Sequence, residues 1–355
     1  MHIGKDIYSP SNTILTVQFH PQSKHDNTII LLSTDSHLRV FELSLSPHTP
    51  EQDIPLFPSP RRGYTIDFDI PVPVSFTFPH PGTHDWSPFT VYILTRDGDI
   101  YALCPIMPTK CVMTRAALTR LKTMISYRTE VARQAAECSL VERETCLHQT
   151  RWISDILGQI SMGELMGVTS SPAFTGVDTG DTVTFKRPNK VRPTPELQGP
   201  VLWQPAPQVP DDLFPEANDI CVLESDGVGI IVITWQGGRV DVGILIDDVE
   251  GVWAVKGVSR DELPSIRVAA YESINIPVSK NAWTGILTSQ NDSEGVFVAS
   301  DGGVWQVDFR SWLHELQKMS QRGEDDDEHE PFEAQSSITS LISQSYGPLK
   351  PIKIT

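Results

Sequence analysis

The sequence predicts an all-β fold built from repeated units, on three observations. Four segments share one pattern, in which an apolar run leads into a tight-turn pair and alternating apolar positions resume after it. They are IILLSTDSHLRV at 29–40, VYILTRDGDIYA at 91–102, IIVITWQGGRVDV at 230–242 and VFVASDGGVWQV at 296–307. The turn pairs are Asp35-Ser36, Asp97-Gly98, Gly237-Gly238 and Asp301-Gly302, of which the Asp-Gly and Gly-Gly pairs supply the positive φ of a two-residue hairpin. Secondly, ILTVQFHP at 14–21 and PVSFTFPHP at 73–81 are apolar strands placed ahead of the first two hairpins. Thirdly, 28 prolines and 23 glycines in 355 residues suit strands joined by turns better than a helical bundle. A strand, a loop and a hairpin per repeat is the sequence image of a WD40-like β-propeller blade; a β-sandwich is the runner-up. Four hairpins predict an incomplete ring.

Taken in order, residues 10–108 read as propeller blades. Residues 109–160 contain no proline and read as a helical insertion. Its apolar positions are Met113, Ala117, Leu121 and Ile125, then Val131, Ala135 and Cys138, then Trp152, Ile156 and Ile160. Steps of mostly three and four describe amphipathic helix. Residues 161–215, rich in Pro, Gly, Thr and Ser, read as an extended loop, and 216–320 as further blades with a short helix. The acidic run GEDDDEHEPFE at 323–333 predicts a disordered loop over 321–335. SSITSLIS at 336–343 reads as one more strand, with no hairpin behind it, so that 336–355 ends in mid-repeat.

Charge narrows the function. Twenty-eight Lys and Arg against 45 Asp and Glu give −17, which repels phosphate backbones and argues against nucleic acid as a direct partner. No apolar run approaches the roughly 18–20 residues of a membrane-spanning helix, and MHIGKDIYSP lacks the apolar region of a signal peptide. Cysteines 104, 111, 138, 146 and 221 form no CxxC pair and read as reduced thiols.

No catalytic or metal signature in the sequence is complete. His80, His84 and Asp85 lie in PHPGTHDW, where no Cys or Glu completes a ligand set. There is no HExxH and no G-x-S-x-G; Gly227-Val228-Gly229 lacks the rest of a phosphate loop, and Asp97-Gly98-Asp99 is a hairpin turn. No enzyme, metal or cofactor is expected. What remains is an interaction feature: Phe309, Trp312, Leu313 and Leu316 in VDFRSWLHELQKM fall at i, i+3, i+4 and i+7 on one helix face, with Ser311 as the candidate cap. Two readings stand open for that stripe, packing on the chain's own blades or docking an external helix.

Two stretches carry a family resemblance. GPVLWQPAPQVPDDLFPEANDICVLESDGVGIIVITWQGGRVDVGIL at 199–245 resembles a segment of the cytoplasmic-face β-propeller nucleoporins, nucleoporin eighty-two in fungi and eighty-eight in vertebrates. The matching residues are Gly199, Pro200, Leu202, Pro205 and Ala206, then Ile231, Ile233, Gly237 and Gly238. WSPFTVYILTRDGDIYALCPIMP at 86–108 is similar to a blade of the same family. The resemblance implies a structural scaffold on the cytoplasmic side of the nuclear pore complex that anchors FG nucleoporins for mRNA export. It implies as partners the helical tail of an FG nucleoporin and the autoproteolytic domain of a GLFG nucleoporin. It also implies a seven-bladed propeller followed by a long coiled coil, neither of which this chain displays. A generic WD40-like adaptor outside the pore is the alternative.

Overall fold

The computed structural model describes residues 3–57, 70–80, 82–135, 137–161, 165, 181–188, 194–206, 215–225, 227–255, 257–289, 293–321 and 334–343. Each predicted hairpin is the centre of a blade. Blade one runs in order through β1 (Ile14–Phe19), β2 (Thr28–Ser33), β3 (His37–Glu42) and β4 (Gln52–Pro55). Blade two contains β5 (Pro73–Thr77), β6 (Val91–Thr95) and β7 (Ile100–Leu103). After these the chain leaves for β8 (Lys110–Thr114), α1 (Arg115–Gln134), α2 (Leu140–Leu157) and β9 (Thr182–Lys186). It returns as β10 (Leu197–Gln198), which pairs with β7 and completes the blade.

Blade three has five strands. β11 (Leu202–Gln204) lies parallel to β15 (Arg267–Asn275), outside β12 (Ala217–Ser225), β13 (Val228–Trp235) and β14 (Arg239–Leu245). Blade four is β16 (Thr284–Leu287), β17 (Gly295–Ser300), β18 (Gly303–Asp308) and β19 (Ser337–Ser343), with α3 (Arg310–Gln321) between the last two strands.

Two expectations about these segments are corrected here. Residues 161–215 contain β9, β10 and β11 rather than loop alone, because short strands in a Pro- and Gly-rich stretch have too few residues to set up a visible alternation. β19 opens no new repeat; it pairs antiparallel with β18 and finishes blade four. The run 323–333 lies outside the described residues. The hairpin loops also differ from the two-residue reading. Ser36, Gly98 and Gly238 donate their N–H to Ser33, Thr95 and Trp235 at 3.0, 3.0 and 3.1 Å, with φ of 60°, 90° and 90°. That is a three-residue loop ending in a left-handed residue. Only Asp301-Gly302 makes a two-residue loop, between paired Ser300 and Gly303.

Gly98 also lets blade three approach: a methyl group there would lie 2.1 Å from Trp235 Cη2, in a backbone at φ +90°. Gly98→Ala is therefore expected to cost about 1–3 kcal/mol, read by thermal melting. Unchanged melting would show that the Trp235 contact does not hold the two blades.

The blades are strung together by their first strands. β1 lies against β5, β5 against β12 and β12 against β16, which places these four around a common axis. Gln18 Nε2 donates to Phe76 O at 2.8 Å, linking β1 to β5. Asp219 on β12 accepts from Ser75 Oγ of β5 at 2.7 Å and from the Ile286 N–H of β16 at 2.9 Å. Between blades the sheets bury apolar faces. Ile30, Leu32, Leu38 and Val40 meet Phe76, Val91 and Ile93 between blades one and two. Tyr92, Leu94 and Ile100 meet Ile220, Ile231 and Ile233 between blades two and three. Val232, Val240 and Val242 meet Val296, Val298 and Val307 between blades three and four.

The helical insertion stands on the β8–β9 ribbon and buries Leu118, Leu121, Ile125, Trp152, Ile153 and Ile156 in the second of these interfaces. Thr114 caps α1 by accepting from Ala117 N at 3.2 Å, and Ser139 with Glu142 forms a capping box on α2. The predicted helix face is half corrected: Val131 and Ala135 are exposed, and Cys138 lies in the turn before α2.

The end blades each keep one face outside these interfaces. On blade one, Ile29, Leu31 and Phe41 are covered by Ile3, Ile7 and Tyr8 of the N-terminal segment. Gly4 N donates to Pro47 O at 2.9 Å and Asn12 Nδ2 to Asp35 Oδ2 at 3.0 Å, fixing that strap. Beyond it Leu15, Val17 and Phe19 are exposed, as is Leu287 on blade four. Exposed apolar sheet faces invite pairing. The purified chain is expected to self-associate as its concentration rises, and Val17→Ser with Leu287→Ser to shift it toward monomer in sedimentation velocity. A parent chain that stays monomeric at all concentrations would contradict this.

Candidate protein-docking surfaces

Of the predicted stripe, Phe309, Trp312 and Leu313 are fully buried against blades three and four, and only Leu316 is half-buried. Trp312 stacks on Tyr271 at 4.5 Å between ring centroids, and its Nε1 donates to Ser336 Oγ at 2.9 Å. These three residues form core and present no surface to a partner, which corrects the docking reading for them. The apolar stripe was legible, but its owner was not: a helix laid on its own sheet and one offered to a partner have the same periodicity. Ser311 is not the cap. Asp308 Oδ1 accepts from Arg310 N at 2.9 Å, while Ser311 Oγ donates to Gln335 O.

The titratable groups are arranged for stability. Burial pushes the thiols of Cys104, Cys111 and Cys221 up, away from the reactive thiolate, and does the same more weakly to Cys146. His20 is fully buried, and burial lowers its pKa to about 4. Its Nε2–H donates to Ile106 O at 3.0 Å and its Nδ1 accepts from Gln22 N at 3.1 Å, so both nitrogens are satisfied in the neutral ring. Burial also raises the Asp219 carboxyl, against the donors from Ile286, Ser75 and Ile220. Asp35 is raised by desolvation but lowered more by Arg39 and Ser33, to about 2. Among the described residues no group of three His, Cys, Asp or Glu could hold a metal ion. His80 Nδ1 instead pairs with Glu224 Oε2 at 3.6 Å.

Two concave surfaces lie among the described residues. One, of about 560 Å³, lies where the inner strands converge, lined by Gln18, Phe19, Thr77, His80, Leu223 and Thr288. The other, of about 250 Å³, lies between the start of α1 and the loop before blade two's hairpin, with His84 in its wall. Sequence reading weighed His84 only as a metal ligand, because nothing local announces that Thr114, Ala117 and Arg120 fold back over it.

With this geometry in hand, comparisons with known proteins converge. The family model described as Nucleoporin NUP82 beta-propeller matches residues 60–228. The chain is 25% identical over 348 residues to nucleoporin nup82 of Schizosaccharomyces pombe, covering 96% of this chain and 42% of that protein. It is 26% identical over 318 residues to nuclear pore complex protein NUP88 of Arabidopsis thaliana, covering 80% of this chain and 35% of that one. The chain thus spans less than half the length of these relatives. Its fold is that of the Nup82 N-terminal domain in the Chaetomium thermophilum Nup82–Nup159 tail–Nup145N complex, with a TM-score of 0.75 at 20% identity over 97% of this chain and 70% of that one. The yeast Nup82–Nup159–Nup116 complex matches at a TM-score of 0.67 and 19% identity, over 95% of this chain and 69% of that one.

Proposed function

We propose that this chain is a member of the Nup82/NUP88 family of β-propeller nucleoporins and a structural scaffold of the nuclear pore complex, on its cytoplasmic side. It anchors other nucleoporins for mRNA export and nucleocytoplasmic transport through protein contacts. The observation that carries this reading is the span of the likeness: 96% of the chain aligns with one nucleoporin, blades and helical insertion together. The partners we propose are the helical tail of an FG nucleoporin and the autoproteolytic domain of a GLFG nucleoporin. Their support is that the two similar solved folds are complexes named for a Nup159 tail and a Nup145N domain, and for Nup159 with Nup116.

We also infer that the chain is not an enzyme. Cys104, Cys111, Cys146 and Cys221 are raised by burial where a nucleophile needs the reverse, and the buried His20 is tied up on both nitrogens. Reconstitution tests the partner assignment. Mixed with a tail peptide and an autoproteolytic domain from its own organism, the folded chain is expected to co-elute with both in gel filtration. A folded chain that retains neither partner would refute the assignment.

A further inference from the structure

The smaller of the two cavities, of about 250 Å³, is walled by parts of the chain that lie far apart in sequence. The turn after β1 supplies Gln22, the loop after β5 supplies His84 and Ser87, and the junction of β8 with α1 supplies Met113, Thr114 and Ala117. His84 is 8% exposed, yet neither of its ring nitrogens has a hydrogen-bond partner. His20 makes the contrast: it is buried as deeply, and both of its nitrogens are satisfied. A buried imidazole left unpaired costs folding free energy, which is recovered when a bound polar group completes its hydrogen bonds.

The walls set the chemistry of that group. Their two charged side chains, Arg120 and Asp85, face each other at 3.5 Å and cancel, and burial keeps the His84 ring neutral. A charged ligand would therefore enter without a free partner of opposite sign. No third His, Cys, Asp or Glu among the described residues joins His84 and Asp85 to hold a metal ion. The remaining polar side chains both give and take hydrogen bonds. The neutral imidazole has one donor and one acceptor, and the Gln22 carboxamide has both. Ser87 Oγ accepts from Gly82 N at 3.3 Å and Thr114 Oγ1 from Ala117 N at 3.2 Å, and each hydroxyl keeps its own hydrogen to donate. Pro88, Met113 and Ala117 add carbon surface between them.

Hydroxyl groups on a carbon ring match these walls in each respect, being neutral, donor and acceptor at once, with C–H faces between them. We propose that the cavity beside the start of α1 is a binding site for a small neutral polyhydroxylated molecule of the sugar or cyclitol class, with one ring hydroxyl on His84. The volume lies just below the roughly 300–1,000 Å³ of pockets that take drug-sized ligands, which suits a single ring rather than a peptide segment. Seated there, the molecule bridges blade two's loop and the helical insertion. The inference stands on this cavity alone and does not depend on the assignment to the pore.

The test is saturation-transfer NMR on the 355-residue chain with three probes: D-glucose, myo-inositol and the acid D-glucuronate. Transfer to glucose or inositol is expected, with glucuronate binding at least tenfold more weakly. His84→Leu should abolish the transfer, and Gln22→Ala should weaken binding at least threefold. Sugars stabilise proteins in general by exclusion from their surface, so melting is compared without any probe present. Unliganded His84→Leu should melt no lower than the parent, because it removes an unpaired polar group and breaks no hydrogen bond. Transfer to neither neutral probe, equal binding of glucuronate, binding unchanged in either variant, or a His84→Leu chain that melts below the parent would each overturn the proposal.

Discussion

Trp312→Ala is expected to lower the free energy of unfolding by about 3–5 kcal/mol, the range for removing a fully buried aromatic side chain. Trp312 fills the angle between blade four's helix and blade three, with Tyr271 and Phe309 rings 4.5 and 5.7 Å away. Its truncation would also strand the Ser336 hydroxyl, which accepts from the indole and donates to Glu272. Trp312→Phe keeps most of the packing and loses that hydrogen bond, so it should cost less, about 1–2 kcal/mol. Leu316→Ala, at the half-buried end of the stripe, should cost less than Trp312→Ala. Urea unfolding monitored at fixed temperature orders the three. A Trp312→Ala variant that unfolds like the parent would return the stripe to the surface.

Acid should destabilise the fold well before its carboxylates titrate. The folded-state pKa values of His20 and His84 are depressed by burial, to about 4 and about 3. Each therefore contributes stability that is fully present above the unfolded value near 6.5 and is lost as pH falls toward the folded value. By pH 4 the loss is roughly 3 kcal/mol for each ring. His20 has a structural reason for refusing the proton, since protonating Nδ1 would put a donor against the Gln22 N–H. The buried Asp219, whose carboxyl is raised, works in the opposite direction and offsets part of the loss. Asp35, lowered to about 2 by Arg39 and Ser33 against its desolvation, adds to the loss only below the ordinary carboxylate range. Unfolding free energies measured between pH 7 and pH 4 should therefore fall steeply in the parent and less steeply in His84→Gln. A flat profile in the parent would show that neither ring is buried in the folded chain.

The parts of this fold that could be read from sequence are those fixed by neighbouring residues. The four hairpins were visible because Asp97-Gly98 and its counterparts act within one turn, although three loops took one residue more than the pairs suggested. β10 was invisible: Leu197 and Gln198 are two residues that become a strand only because β7 offers an unpaired edge to them. β11 escaped for the same reason, and its parallel pairing with β15 has no local signature. On α1, stepping by four from Met113 reached Ala117, Leu121 and Ile125 but passed over Leu118, because apolar residues at helical spacing lie on more than one side of the helix. Tyr127 and Val131 then sorted themselves by which side of the helix the blades occupied. His84 could not be singled out either, since its lack of partners is a property of the walls around it.

The proposed role of this chain is that of a pore scaffold working through protein contacts. The most direct measurement is affinity purification of the endogenously tagged protein from its own organism, followed by quantitative mass spectrometry. Nucleoporins are expected to dominate the recovered proteins, an FG nucleoporin with a helical tail and a GLFG nucleoporin among them, and the tag is expected to light the nuclear rim. Recovery of an unrelated complex with no nucleoporin enriched, together with absence from the rim, would contradict it.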